Sequence, residues 1–281
     1  MSTASQTPLQ TVDRALEVLL SFDEYRTDWG VLELADEFGL TRSTAQRLLA
    51  ALAARGFLHA DPHTRRYRLG PAIWKTAAMW ERSGGLAALA EPFLTDLARA
   101  TDRTTLFCTP DGAYVRCITA VDGLDGPRRA HPYLGDVFPA HAGATSRAYF
   151  AFLVPSGRTA LLQGRPSARY SELTEVDEDA LRALFDSTVR DGYATSEGEF
   201  DASSRAIAVP VFAGRRPVGS LSLLEDKTTE HEDTLVDALP ALRTTADVLS
   251  DLLSNRPPAA PRRDWRRGRG TAGPAPTTGT R

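Results

Sequence analysis

Residues 31–70 constrain the fold more than any other part of the chain. They begin Val-Leu-Glu-Leu-Ala-Asp-Glu-Phe-Gly-Leu-Thr-Arg-Ser-Thr-Ala-Gln-Arg-Leu-Leu and close on Tyr67-Arg68-Leu69-Gly70. Two short helices are predicted, Val31 to Phe38 and a second one after Thr41. Gly39 between them supplies the positive φ that a tight inter-helix turn needs. Thr41 suits an N-cap, since its hydroxyl can accept a free backbone N–H. Ala45, Leu48, Leu49 and Leu52 recur at helical spacing and form a buried face. Ala35 is small where the two helices would cross. Gly56 ends the second helix as a C′ glycine. Phe57-Leu58 and Tyr67 to Leu69 read as short strands around a turn at Asp61 to Arg65, so a wing follows the helix pair.

The opposite face of the second helix carries Arg42, Ser43, Gln46 and Arg47. Arginine and glutamine are side chains that make bidentate contacts to guanine and adenine edges in the major groove. Thr41, Ser43 and Thr44 can reach phosphates. His63, Arg65 and Arg66 stand at the tip of the wing. Between Gly39 and Gly70 six arginines face one acid, Asp61, a net +5 in a chain whose whole charge is −3. Such a local excess is an electrostatic footprint for phosphates. An amphipathic hairpin with a solvated polar face would produce the same helices; the wing favours the nucleic-acid reading.

These residues resemble the IclR-type transcriptional regulators. The matching stretches are Thr-Val-Asp-Arg-Ala-Leu-Glu-Val-Leu (11–19), Leu-Ala-Asp-Glu-Phe-Gly-Leu-Thr-Arg-Ser-Thr-Ala-Gln-Arg-Leu-Leu (34–49), Arg-Gly-Phe-Leu (55–58) and Tyr-Arg-Leu-Gly (67–70). The resemblance spans nearly the whole chain, apart from the first residues and the part after Asn255. It implies a winged helix-turn-helix joined by a linker helix to a GAF-like effector domain with a ligand pocket. It also implies a dimer or tetramer.

With 281 residues there is chain for two cores. Met1 to Gln10 has no apolar stretch of the kind a secretory signal needs. No apolar run reaches the roughly 18 residues of a membrane span. Cys108 and Cys117 are the only cysteines, which argues for a reducing cytoplasm. The domain expectation is 1–10 disordered, 11–70 winged helix-turn-helix, 71–83 linker helix, 84–255 effector domain and 256–281 a disordered basic tail. That tail holds seven arginines against Asp264, a net +6; with the +5 of residues 39–70 set aside as well, the remainder of the chain carries −14. Its composition cannot bury enough apolar surface to fold, and its arginines suit flexible contact with phosphates.

Thr11 to Phe22 has Val12, Ala15, Leu16, Leu19 and Leu20 as an apolar stripe to pack under the helix pair. Pro71 to Ser83 starts with a proline suited to a first helical turn. Ile73, Trp74, Ala77 and Trp80 form one apolar face, and a helix this short needs a partner. The resemblance makes Trp74 and Trp80 a dimer contact; packing within one chain is the other reading. Beyond Gly84-Gly85, a helix follows with Leu86, Leu89, Ala90, Phe93, Leu94 and Leu97. Strands are predicted at 104–109, 114–121, 205–213 and 217–225, with a strand region opening at Gly192-Tyr193. Asp122 to Arg129 reads as a loop. Helices are predicted at 141–153, stopped by Val154-Pro155, at 176–190 with Leu181, Leu184, Phe185 and Val189 inside, and at 230–254. Paired strands with helices at both ends give an α+β class for this part. Cys108 faces Cys117 if the first hairpin turns at Gly112-Ala113, and Val115 if it turns at Asp111-Gly112. Two buried structural thiols are the expectation.

No histidine stands at metal-ligand spacing with a cysteine. There is no phosphate-binding glycine loop, dinucleotide fingerprint or Gly-x-Ser-x-Gly. No enzyme, metal or cofactor is expected. Two stretches, 135–148 and 192–211 continuing to 218–223, resemble the family's pocket walls. By that match Ala144, Thr145, Ser196, Ala206, Ser220 and Ser222 fall on or near ligand-contact positions, for a family that binds small organic acids. The sequence departs from the family pattern at Ser146-Arg147, where Gly-Lys is usual, at Ala206 for a cysteine, at Ser196 for an acid and at Ala202-Ser203 for Pro-Gly. Gaining Arg147 while losing a carboxylate would favour an anionic ligand; Arg147 can equally pair with solvent or a neighbouring acid. The expectation is a cytoplasmic one-component regulator, a repressor on resemblance alone, with operator DNA, a small effector and a second copy as partners. The alternative is a small-molecule-binding or enzymatic domain whose winged helix mediates protein contacts.

Overall fold

The computed structural model describes residues 9–22, 26–123, 133–162, 167–228 and 234–254. The chain divides into two compact units, with the boundary between Ala88 and Leu89. The expectations for the basic tail and for most of the 122–129 loop lie outside the described residues, as does residue 1–8 of the N-terminal segment.

The N-terminal unit runs α1 (Gln10–Leu20), β1 (Asp28–Trp29), α2 (Val31–Glu37), α3 (Arg42–Ala54), β2 (Leu58–Ala60), β3 (Tyr67–Leu69) and α4 (Pro71–Arg82). Its three strands form an antiparallel sheet in the order β1-β3-β2. The core holds Val18, Trp29, Leu34, Ala35, Ala45, Leu48, Leu49, Leu52 and Leu58. Trp29 closes one side, donating its indole N–H to Ser21 Oγ at 2.9 Å and meeting Phe38 edge-on. Gly39 has φ +59°, which permits the tight turn. A Cβ on Gly70 would stand 2.3 Å from the Gly56 carbonyl oxygen, so only glycine lets the end of the wing come back against the end of α3.

One expectation is corrected here, and one strand had no sequence signal. The strand β1 has only two residues, too short to show alternation. The apolar residues of α1 form two stripes. Val18, with the half-buried Ala15 and Leu19, packs into the core. Val12, Leu16 and Leu20 were expected there but are exposed, together with Leu9. They lie three and four residues apart on a different face of the helix.

The C-terminal unit takes most of α5 (Gly85–Thr101), then β4 (Thr104–Asp111), β5 (Tyr114–Val121), β6 (Val137–Pro139), α6 (Ala144–Phe150), α7 (Pro155–Leu162), α8 (Glu178–Asp191), β7 (Ala194–Glu197), β8 (Ser204–Ala213), β9 (Arg216–Asp226) and α9 (Leu239–Leu253). Six strands form one antiparallel sheet in the order β6-β5-β4-β9-β8-β7. Ala206, Ala208 and Leu224 on one face join Ala144 and Ala148 of α6 and Leu181 and Phe185 of α8 in the core. Ile207, Val209, Val211, Leu221 and Leu223 alternate with them and are equally buried, so both faces are covered. The class is α+β, as expected.

The first hairpin turns at Gly112-Ala113, because Asp111 pairs with Tyr114. Cys108 therefore faces Cys117, and both are buried free thiols. The helix expected from His141 starts only at Ala144, since Gly143 sits at φ +95°. That helix also ends at Phe150, before the expected 153, and Pro155 opens α7 instead of stopping it. Val189 was expected inside α8 but is exposed. α9 starts at Leu239, with Pro240 in its first turn, later than the expected 230. The short edge strand β6 had no sequence signal.

Candidate functional site

In the N-terminal unit α3 is held by its apolar face, which leaves Arg42, Ser43, Gln46 and Arg47 exposed on the other. Thr41 caps the helix, accepting the backbone N–H of Thr44 at 3.2 Å. The hydroxyls of Ser43 and Thr44 turn back to the same oxygen, at 3.1 and 2.9 Å. Among the described residues Arg42 and Arg47 have no ion-pair partner, so their guanidinium forks are available to base edges or phosphates. Capping and presentation are one arrangement: the cap fixes the first turn, and that turn carries Arg42.

The wing between β2 and β3 is a turn organised by Asp61. Its carboxylate accepts the backbone N–H groups of His63 and Thr64 at 2.8 and 3.1 Å. The Thr64 and His63 N–H groups hold the Asp61 carboxyl below its ordinary value. Arg65 takes φ +56° and is exposed, as is His63. Arg65, like Arg42 and Arg47, pairs with no acid among the described residues.

Arg66 is different, because carboxylates of the same unit hold it. Its Nε donates to Asp28 Oδ1 at 2.5 Å, and its two terminal nitrogens donate to the two oxygens of Glu33 at 2.9 and 2.7 Å. Glu33 lies in the first turn of α2 and also accepts the Gly30 N–H at 3.4 Å. Arg66 thus ties the wing to β1 and α2 instead of reaching outward. Its hydrogen bonds hold the Glu33 carboxyl below the usual range.

The α4 helix buries none of its residues; Trp74 is 76% and Trp80 44% exposed. With the outer stripe of α1 it leaves two apolar helix faces that the described residues of this unit do not cover.

In the C-terminal unit a small cavity brings together Ala144, Thr145, Ser196 and Ala206. Phe138, Phe200 and Leu224 supply its apolar wall, and Glu199, Asp201 and Ser204 its polar one. Its volume is about 30 Å³, room for about one water. Ser196 Oγ accepts the Ala144 N–H at 2.9 Å. Phe200 packs against Phe138 and Tyr170, with centroids at 5.3 and 4.9 Å.

Three expected contacts are not cavity walls. Ser222 is buried beneath Thr145 and donates to its hydroxyl at 3.0 Å, so it orients a wall residue. Ser220 lies opposite Cys108 in the sheet, and its Oγ is buried without a hydrogen-bond partner among the described residues. Arg147, 2% exposed, is bound by the carboxylate of Glu199 and by the Thr195 carbonyl, so it is not a free cation for a ligand. Glu199 and the aromatic pair Phe138 and Phe200 were not singled out from the sequence. Glu199 lies within the pocket-like stretch 192–211, but nothing local reveals its partner.

A larger cleft of about 210 Å³ between α7 and α8 includes Arg158 and Arg182. Both are already paired, with Asp186 and Glu178, and none of the expected residues is there. Among the described residues no group of side chains could hold a metal ion, and no helix is long and apolar enough to cross a membrane.

Comparison with known proteins matches both units. Residues 11–62 fit the family model described as the IclR helix-turn-helix domain, and residues 82–251 the one described as bacterial transcriptional regulator IclR C-terminal. The HTH-type transcriptional regulator XynR of Escherichia coli is 30% identical over 76% of this chain and 85% of its own length. The crystal structure of an IclR transcriptional regulator from Silicibacter sp. TM1040 superposes with a TM-score of 0.61 at 28% identity, covering 88% of this chain and 98% of that one. The inducer-binding domain of a PobR double mutant from Acinetobacter, in complex with 3-hydroxybenzoic acid, gives a TM-score of 0.55 at 26% identity, covering 59% of this chain and 98% of that domain.

Proposed function

The chain belongs to the IclR family of bacterial transcriptional regulators, and from that membership we propose that it is a repressor that binds operator DNA as a homodimer and is modulated by a small organic acid. The observation that carries the DNA reading is the outer face of α3. Arg42, Gln46 and Arg47 are presented there by a capped, well-buried helix, and both arginines are unpaired among the described residues. The wing adds Arg65 on a turn of fixed shape. Support for the effector is the small cavity, which gathers four of the seven expected residues in a unit similar to one that holds 3-hydroxybenzoic acid in a relative. Homodimer formation is supported by the exposed faces of α1 and α4. Repression rests on the family resemblance.

A fluorescence-anisotropy titration with promoter and scrambled DNA tests the reading. The protein should prefer one promoter sequence, and Arg47→Ala should cost about 1–3 kcal/mol of that specific binding. If the chain binds no DNA even at low salt, the proposal falls. A reporter placed behind the bound promoter, with and without the regulator, reads the regulatory sign.

A further inference from the structure

The cavity already contains a bound carboxylate, and it is the chain's own. Glu199 lies in the loop between β7 and β8 and forms part of the cavity wall. Its oxygens take the two terminal nitrogens of Arg147 at 2.5 and 2.9 Å, fork to fork. Oε2 also accepts the Gly143 N–H at 3.0 Å. The Arg147 side chain is 2% exposed and the Glu199 side chain 14%. The other ionisable groups lining it are Asp201, again an acid, and the phenol of Tyr133. A buried anion needs a cation or several donors. Among the described residues, the cation held against this wall, Arg147, is therefore spent before any acid enters.

We propose that Glu199 is an internal competitor for the effector, so that an organic acid gains its site by displacing the Glu199 carboxylate from Arg147. This rests on the reading of the cavity as the effector site and adds the residue that sets its selectivity. A neutral molecule of the same shape leaves the ion pair in place; a carboxylate must break it. Displacement has a mechanical consequence, because Glu199 carries the loop 198–203. That loop is otherwise latched by Ser171 Oγ donating to the Gly198 carbonyl and Thr174 Oγ1 donating to the Glu199 carbonyl, both at 2.6 Å. Phe200, the next residue, closes the cavity against Phe138 and Tyr170. Moving Glu199 therefore shifts the aromatic side chain that keeps the cavity small.

The test uses the full-length protein with 3-hydroxybenzoate and its neutral counterpart 3-hydroxybenzamide as probes in isothermal titration calorimetry. Glu199→Gln removes the charge and keeps the side-chain shape. It should tighten 3-hydroxybenzoate by about tenfold or more, a typical size for coupled sites, and leave 3-hydroxybenzamide nearly unchanged. Glu199→Asp keeps the charge but is too short for the same fork. It should give a smaller gain in the same direction, and it serves if the glutamine variant does not fold. Native circular dichroism with no tightening of 3-hydroxybenzoate in either variant overturns the inference. If neither probe binds any of the three proteins, the effector reading itself falls, and the inference with it. If both probes bind wild type and respond equally to the substitutions, only the competition is refuted.

Discussion

Replacing Arg66 by alanine should loosen the wing and leave the count of phosphate contacts unchanged. Arg66 is held between Asp28 and Glu33, with side-chain exposures of 34%, 21% and 54%. Pairs exposed to this degree are screened by solvent and contribute about 0.5–1 kcal/mol each. Losing two such pairs costs roughly 1–2 kcal/mol. For a unit of this size the unfolding midpoint should fall by roughly 5–10 °C. The effect has a defined pH dependence. Glu33 has its carboxyl depressed in the folded state by Arg66, so its stabilising contribution is present above the ordinary value of 4.5 and is lost as pH falls through the folded value. Wild type and Arg66→Ala should therefore differ most near neutrality and converge in acid, as read by circular dichroism melting. In DNA titrations the slope of log K against log salt should not change, because it counts neutralised phosphates at about 0.9 per contact. A slope lowered by about one unit, with the melting midpoint unchanged, would refute this reasoning. It would mean that Arg66 leaves its two acids for the DNA backbone.

Arg65, unpaired at the turn, should behave in the opposite way. Arg65→Ala should weaken operator and random DNA alike and lower the salt slope by about one unit, while melting stays as in wild type; an unchanged slope counts against a wing contact. Trp80→Ala should raise the dimer dissociation constant in analytical ultracentrifugation by roughly 30-fold, the effect of losing about 2 kcal/mol at an interface anchor. A variant that associates like wild type assigns α4 to some other role.

The parts of the fold legible in the sequence are those written in local spacing. Ala45, Leu48, Leu49 and Leu52 mark α3 because helical periodicity needs no knowledge of the partner. Thr41 and Gly39 mark its start and the turn before it, since capping and positive φ are also local. In the C-terminal unit the long hairpin β8–β9 is readable from its alternation around Gly214. The two-residue strand β1 and the edge strand β6 are not, because they exist only through their pairing with β3 and β5. The outer stripe of α1 misleads for a related reason. Apolar periodicity says that a face wants cover, and it does not say whether the same chain provides it.

Charge is where reading along the chain fails most, and the failure has one cause at both sites. The +5 excess over residues 39–70 omits Asp28 and Glu33, which precede the window in sequence. The fold places both on Arg66, at sequence separations of 38 and 33 residues, and the excess drops to +3. In the other unit Arg147 stands 52 residues from Glu199. The five arginines expected to act on ligands thus divide by a criterion that no local pattern contains. Arg42, Arg47 and Arg65 meet no acid among the described residues and keep their donors for a partner. Arg66 and Arg147 meet carboxylates from other elements, and their charge is used within the fold. For Arg66 that use is mechanical, because its partners sit on the strand and helix beside the wing. For Arg147 it is conditional, because Glu199 lies on a loop at the cavity wall, where an entering acid can contest it.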